Sequence, residues 1–166
     1  MTILGIDASY TCTGIAVVAM GDAPGTERVL TTTRVRTSPR DGTDTYRARN
    51  IAGECVSIAR VFSPQVIGLE MPYLDPAKAK NASLRLSRLG AIIEAALADA
   101  GYEVVQVAAA TTGSMLGIKP RTQRADRKAQ AIAAVARRYG VEATEDEADA
   151  IGVALGAFRN HRREAA

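Results

Sequence analysis

The sequence predicts one α/β domain, a mixed five-stranded sheet in the order 3-2-1-4-5 with helices on its faces. Three observations predict it. Three apolar or β-branched segments run in succession at the N-terminus, separated by turn formers. Two further strand-like segments then alternate with stretches whose apolar residues recur at helical spacing. Finally, 166 residues make one domain's worth of chain, long enough to build a core without disulfide staples.

The elements follow in order. Residues 2–8 (TILGIDA), 13–20 (TGIAVVAM) and 27–36 (ERVLTTTRVR) read as strands of an antiparallel meander, with Gly21-Asp22-Ala23-Pro24-Gly25 punctuating the second gap. Thr37–Asp44 is a polar loop. Residues 46–62 turn helical, with Ile51, Cys55, Ile58 and Phe62 on one face. A fourth strand covers 65–70 (QVIGLE). A second helix spans about 83–100 through Leu89, Ile92, Ile93, Ala96 and Leu97, and Gly101 stops it. The fifth strand is 103–108 (EVVQVA), and 108–113 is a loop. Two helices close the chain, about 123–139 and 145–160, before a short basic tail from about 159. Strands joined through helices are expected to be parallel with right-handed crossovers, and in the order 3-2-1-4-5 strands one and four are parallel neighbours.

Composition narrows the class further. No run approaches about 18 apolar residues, which excludes a spanning helix. The opening MTILGIDAS has no basic region ahead of its apolar residues, so no signal peptide is read there. Cys12 and Cys55 supply neither a disulfide framework nor metal-ligand spacing, and a cytoplasmic location is the expectation. Net charge is only +3, but its distribution is uneven. Lys119, Arg121, Arg124, Arg127 and Lys128 crowd one segment with Asp126 the only acid among them; Arg34, Arg36, Arg40, Arg47 and Arg49 form a looser group. Such clusters suit a polyanion, and they equally suit a solvated surface.

The carboxylates decide more. Gly5-Ile6-Asp7 and Gly68-Leu69-Glu70 each place a glycine two residues before an acid that ends a strand. Glycine and acid therefore share a sheet face, with open space expected beside the acid. On parallel neighbours both carboxylates emerge at the carboxyl ends of the strands, where open α/β sheets bind ligands. The last helix begins Glu145-Asp146-Glu147-Ala148-Asp149. Asp146 and Asp149 lie three apart on one side, while Ala148, Ile151, Leu155 and Phe158 fall on another. Gly152 and Gly156, between those faces, permit close approach to the sheet. An acidic first turn also complements a helix dipole, which accounts comfortably for one or two of these acids. Four converging carboxylates repel one another unless hard divalent cations join them, and all-oxygen ligation suits Mg²⁺ or Mn²⁺. Two such ions beside a basic surface point to phosphodiester hydrolysis.

This order of elements fits a ribonuclease H-like domain, and the residues match a family. Over about 1–160 the chain resembles the RuvC Holliday-junction resolvases, through ILGIDASYTCTG, IGLEMPYLDPAKAKNASLRL and DEADAIGVAL. The resemblance implies that Asp7, Glu70, Asp146 and Asp149 form a catalytic tetrad holding two Mg²⁺ ions, with Mn²⁺ able to substitute. It implies that Lys128 is the active-site lysine near the scissile phosphate, and that Tyr73 is the aromatic that engages junction bases. DNA contacts are expected from Tyr73, Lys80, Arg85, Lys119, Arg121, Arg124 and Arg127. The implied activity is resolution of four-way DNA junctions by paired symmetric nicks in recombination and repair. The implied assembly is a homodimer, with room for branch-migration proteins as partners. Ala8-Ser9 stands where the family prefers Pro-Gly, residues 108–113 lack a lysine often found there, and Ile118–Arg127 is longer and more basic than usual. These departures fit a diverged or phage-type member that also accepts forks or flaps.

Three other readings compete. A GIDxxxxxTG opening also begins sugar-kinase and actin-type ATPases, which need two such domains. A YqgF-type ribonuclease H-like nuclease acting on RNA shares the fold. A junction-binding scaffold without activity is the third, but a phosphate-binding surface gains nothing from clustered negative charge. Glu145 competes with Asp146 for the fourth place, being four residues before Asp149 on the same helix.

Overall fold

The computed structural model describes residues 1–23, 25–71, 80–119 and 123–164, with the backbone alone at 80, 124 and 125. Strands β1 (Thr2–Asp7), β2 (Cys12–Ala19) and β3 (Arg28–Arg36) form the expected meander, β1 with β2 and β2 with β3 both antiparallel. Helix α1 (Asp44–Phe62) leads to β4 (Val66–Met71), and α2 (Lys80–Asp99) leads to β5 (Val104–Ala108). Both later strands are parallel to their neighbours, β4 to β1 and β5 to β4. The sheet order is β3-β2-β1-β4-β5, as the sequence predicts. This is an α/β ribonuclease H-like fold.

Period-2 alternation divides the core between the two sheet faces. Leu4, Ile6, Ile67 and Leu69 point to one face and pack with Ile51 and Cys55 of α1 and Leu89, Ile93 and Leu97 of α2. Ile3, Val66 and Val107 point to the other, under Ile151, Val153, Ala154 and Leu155 of the C-terminal helix α5 (Glu145–Glu164). Gly5, Asp7, Gly68 and Glu70 belong by alternation to this second face. The space beside the two glycines is not open. A Cβ on Gly5 would overlap the Ala150 carbonyl oxygen and the Ala154 amide, and one on Gly68 would come within 2.6 Å of the Ala157 Cβ. The strand glycines admit the backbone of α5 onto the sheet. Gly156 likewise meets the sheet, its missing Cβ leaving room for Val107 of β5 and for Thr111, whereas Gly152 accommodates Thr112 and Leu116 outside the sheet.

Three local features differ from the sequence reading. Residues 109–115 form a short helix, α3 (Ala109–Met115), where a loop is expected. Its composition, AATTGSM, has little apolar periodicity, and it is held by Thr112 and Leu116 packing beneath α5. The polar loop contains a 3-10 turn, Pro39–Asp41, closed by Ser38 and Asp41 in a reciprocal capping box. And α5 continues to Glu164, so the basic residues Arg159, Arg162 and Arg163 belong to the helix rather than to a tail. Helix α4 (Arg124–Tyr139) ends where Gly140 adopts the left-handed conformation, φ 66°. No described helix is long and apolar enough to cross a membrane.

Candidate active site

β1 and β4 run side by side in register, Gly5 opposite Gly68 and Ile6 opposite Leu69, so their acids leave the central strands as neighbours. Asp7 is paired across the other side with Gly14 of β2. A Cβ at Gly14 would overlap the backbone carbonyl of Asp146, so the first turn of α5 lies directly on β2 beside Asp7. The fold thus brings Asp7, Glu70, Asp146 and Asp149 to one end of the sheet, on its α5 face.

Their electrostatics record that convergence. Burial pushes the Asp7 carboxyl well above its ordinary range, and Glu70, Asp149, Asp146 and Glu145 each push it further. Burial likewise raises Glu70, against lowering by the Thr112 hydroxyl and by Arg127. Asp149 is raised to about 6, first by burial, then by Glu70 and Glu145, with Arg127 opposing. The Thr112 hydroxyl lies beside Glu70, and among the described residues Thr112 Oγ1 is buried without a hydrogen-bond partner.

The acids of the first turn of α5 divide their work. Glu147 Oε2 accepts from the Thr144 amide at 2.9 Å and its hydroxyl at 2.6 Å, which caps the helix. Glu147 also accepts from Thr32 and faces Arg34 at 3.8 Å. Burial raises the Glu147 carboxyl, but the Thr144 contacts, Arg34 and Thr32 outweigh it and hold it below the usual range. Capping accounts for Glu147, as an acidic first turn suggests. Glu145 is ion-paired with Lys128. Asp146 lies beside Cys12, whose thiol is raised by burial and then by that carboxylate.

The other sequence-predicted residues are placed as follows. Lys128 faces Glu145 rather than the four acids, whereas Arg127, one position earlier, is the α4 cation that acts on Glu70 and Asp149. Arg85 is committed to Asp44 through two hydrogen bonds of 2.7 and 2.9 Å, and its guanidinium lies 5.2 Å from the Tyr10 ring. Lys119 lies at the end of the segment after α3. Lys80 opens α2 and Arg124 opens α4. Tyr73 and Arg121 lie outside the described residues.

Sequence reasoning missed one buried network. Arg47, only 2% exposed, donates to the Tyr10 carbonyl at 2.6 Å, to Thr37 Oγ1 at 2.9 Å and to Asp44 at 3.2 Å. Its guanidinium lies 5.3 Å from the Tyr10 ring, opposite the demands of a solvated residue. This ties α1 and the strand β3 exit to the loop after Asp7. The same loop is closed by Thr13, whose hydroxyl donates to the Ser9 carbonyl at 2.7 Å and accepts from the Ser9 amide at 3.1 Å.

Whether these residues suit divalent metal is a question of donor chemistry. Among the described residues, no three His, Cys, Asp or Glu side chains are gathered closely enough to hold a metal ion as they stand. The donor set itself fits a hard cation. It is all oxygen, partly buried and mutually repelling, and the buried Thr112 hydroxyl beside it has no partner among the described residues.

Comparison with solved structures agrees with the fold. The chain matches the RuvC structure from Thermus thermophilus with a TM-score of 0.79 at 20% identity, covering 99% of this chain and 97% of that one. The same protein in complex with a Holliday junction substrate matches equally, over 98% and 96%. The fowlpox virus resolvase bound to substrate Holliday junction DNA matches with a TM-score of 0.62 at 13% identity, over 97% and 99%. The yeast mitochondrial Holliday junction resolvase matches at 0.61 and 15%, over 98% and 82%. No protein-family model matches the chain, and no curated protein does. The chain is thus structurally similar, nearly end to end, to Holliday-junction resolvases of the RuvC type.

Proposed function

We propose that this protein is a divalent-cation-dependent endonuclease that resolves four-way DNA junctions by paired symmetric nicks, acting as a homodimer. One observation carries the reading: partly buried carboxylates from β1, β4 and α5 meet at one end of the sheet, where burial and acidic neighbours raise Asp7 and Asp149. A protein gains nothing structural from that arrangement, and a phosphate-binding surface is weakened by it. In this reading Asp7, Glu70, Asp146 and Asp149 hold two Mg²⁺ ions, or Mn²⁺ in their place. When bound, such ions activate a water and stabilise the leaving oxygen of the phosphodiester. Full-length structural similarity to resolvases, two of them solved on junction DNA, supports the substrate class.

The chain's own residues then have separate tasks. The Asp7 pairing with Gly14, and the seating of Asp146 on Gly14, fix the distance between the β1 and α5 acids. In this reading Lys119, Arg121, Arg124 and Arg127 bind backbone phosphate, Lys80 and Arg85 make further DNA contacts, and Lys128 acts close to the scissile phosphate. Tyr73 stacks on a base released from pairing, a contact worth about 1–3 kcal/mol in single-strand binders.

The test is a labelled four-way junction incubated with Mg²⁺, Mn²⁺ or EDTA. Metal-dependent symmetric nicks are expected. A mobility shift without cutting indicates a scaffold, and activity confined to RNA indicates the YqgF-type reading. Tyr73→Ala is expected to bind junctions yet cut them poorly, with Tyr73→Phe close to wild type and an unpaired base nearby rescuing the alanine variant. Sedimentation of the free protein checks the dimer.

A further inference from the structure

We propose that Arg34 and Arg36 of β3 form a second phosphate-binding surface, on the flank of the acid cluster opposite the start of α4, and take the stretch of DNA strand that α4 does not hold. The inference rests on the nuclease reading above and deepens it by dividing the substrate between two flanks.

Strand register places the two cations. Asp7 pairs with Gly14 of β2, and Gly14 pairs with Arg34 of β3, so the three residues make one row across three strands. Neighbouring strands lie about 4.8 Å apart, which puts the Arg34 backbone about 10 Å from that of Asp7. Directly opposed residues share a sheet face, and the face of Gly14 is the one that Asp146 covers. Arg34 and, by period 2, Arg36 therefore project on the side of the sheet that carries the acids, at the same end. Thr32 and Arg34 both meet Glu147 of α5, as that placement requires.

The first turn of α5 separates the flanks. Glu145 and Glu147 leave the helix about 200° apart. Glu145 is ion-paired with Lys128 of α4, whereas Glu147 faces β3. The Arg34 Nε stands 3.8 Å from Glu147 Oε2, too far for a hydrogen bond, and that oxygen already accepts from the Thr144 amide and hydroxyl. The guanidinium is thus held in place while its fork keeps donors for a phosphate oxygen. Arg36 is exposed at the last position of β3.

The fold sorts arginines that cluster in sequence. Arg47 is buried against Tyr10, and Arg49 is exposed on α1, which packs on the opposite sheet face. Arg34 and Arg36 are the pair that the register brings to the acid face. A strand threaded past clustered acids carries phosphates on both sides of the one being cut, and the acids repel each of them unless a cation lies alongside. The start of α4 supplies cations on one side, and the end of β3 supplies them on the other.

Anisotropy titrations of a labelled four-way junction in EDTA, at several salt concentrations, test the surface. Replacing Arg34 and Arg36 together with glutamine is expected to lower the slope of log K against log salt by about 2. Arg36→Gln alone, which leaves the Glu147 contact in place, is expected to lower it by about 1. The double lysine variant should keep the wild-type slope, and so should Arg49→Gln, which removes the same charge from the other sheet face. Thermal unfolding confirms that each variant is folded. Single uncharged methylphosphonate linkages, scanned along each junction strand, then locate the contacts. Wild type should lose affinity at two separate stretches, the double glutamine variant should be indifferent at one of them, and the Arg121 and Arg124 alanine variant at the other. An unchanged slope in both glutamine variants overturns the proposal, as does an equal drop in Arg49→Gln or loss of the same stretch in both scans. If wild type binds the junction but cuts it with no cation, the nuclease reading fails while the scan still decides the β3 surface. If wild type binds no junction, both fail.

Discussion

Gly14 lies directly beneath the backbone of Asp146, so close that any Cβ would overlap the aspartate's carbonyl. Because Gly14 is also the antiparallel partner of Asp7, one glycine sets how near the acids of β1 and α5 can come.

Gly14→Ala is therefore expected to cost about 3 kcal/mol of stability, at the high end for overpacking because the obstacle is backbone. It should also reduce cutting in whatever fraction stays folded, since α5 must lift away from β2. Gly53→Ala is the opposite case. Gly53 is exposed in the middle of α1 with nothing within 4 Å of a built Cβ, so the alanine should stabilise by about 0.5–1 kcal/mol. Urea unfolding of both variants checks the pair of signs.

Asp149 gives a pH signature in the metal-free protein. Its folded pKa, raised to about 6 from the ordinary 3.8, means that the charged form is disfavoured in the folded state. Its contribution to stability is full below about pH 4 and is lost as pH rises through 6, up to about 3 kcal/mol. Asp149→Asn, fixed in a neutral form, should match wild type at low pH and exceed it above pH 6 in EDTA while losing nuclease activity. Unfolding curves across that pH range decide it, and equal stability at pH 8 would show that the carboxylate is not strained.

Arg47 and Arg85 share Asp44 and the Tyr10 ring but differ in burial. Arg47→Ala should cost about 3 kcal/mol, because it strands buried acceptors including the Tyr10 carbonyl. Arg85→Ala, with its side chain 53% exposed, should cost no more than about 1 kcal/mol. Thermal unfolding measures both.

Replacing Arg121 and Arg124 with alanine should weaken junction binding across sequences and flatten its salt dependence. Two lost phosphate contacts correspond to a slope of log K against log salt smaller by about 2. Anisotropy titrations in EDTA at several salt concentrations measure it; an unchanged slope assigns the cluster to a solvated face.

The sequence by itself determined the sheet and the identity of its terminal acids. Period-2 alternation puts Gly5 with Asp7 and Gly68 with Glu70 on one face of their strands, and the antiparallel meander and the parallel later strands follow from short turns and long helical crossovers. The spacing of Asp146 and Asp149 is likewise local, set by 3.6 residues per turn. Only tertiary structure decided how the first turn of α5 is divided, because Glu145, Asp146 and Glu147 are chemically alike in sequence. Thr144, just ahead of the helix, takes up Glu147 locally, while Lys128 of α4 and Gly14 of β2 give Glu145 and Asp146 their different surroundings. The same reason separates Arg127 from Lys128: adjacent cations on a helix point about 100° apart, and only packing tells which of them meets the acids. Helix α3 was illegible for a related reason, since AATTGSM has too weak an apolar pattern to announce a helix that packing beneath α5 holds in place.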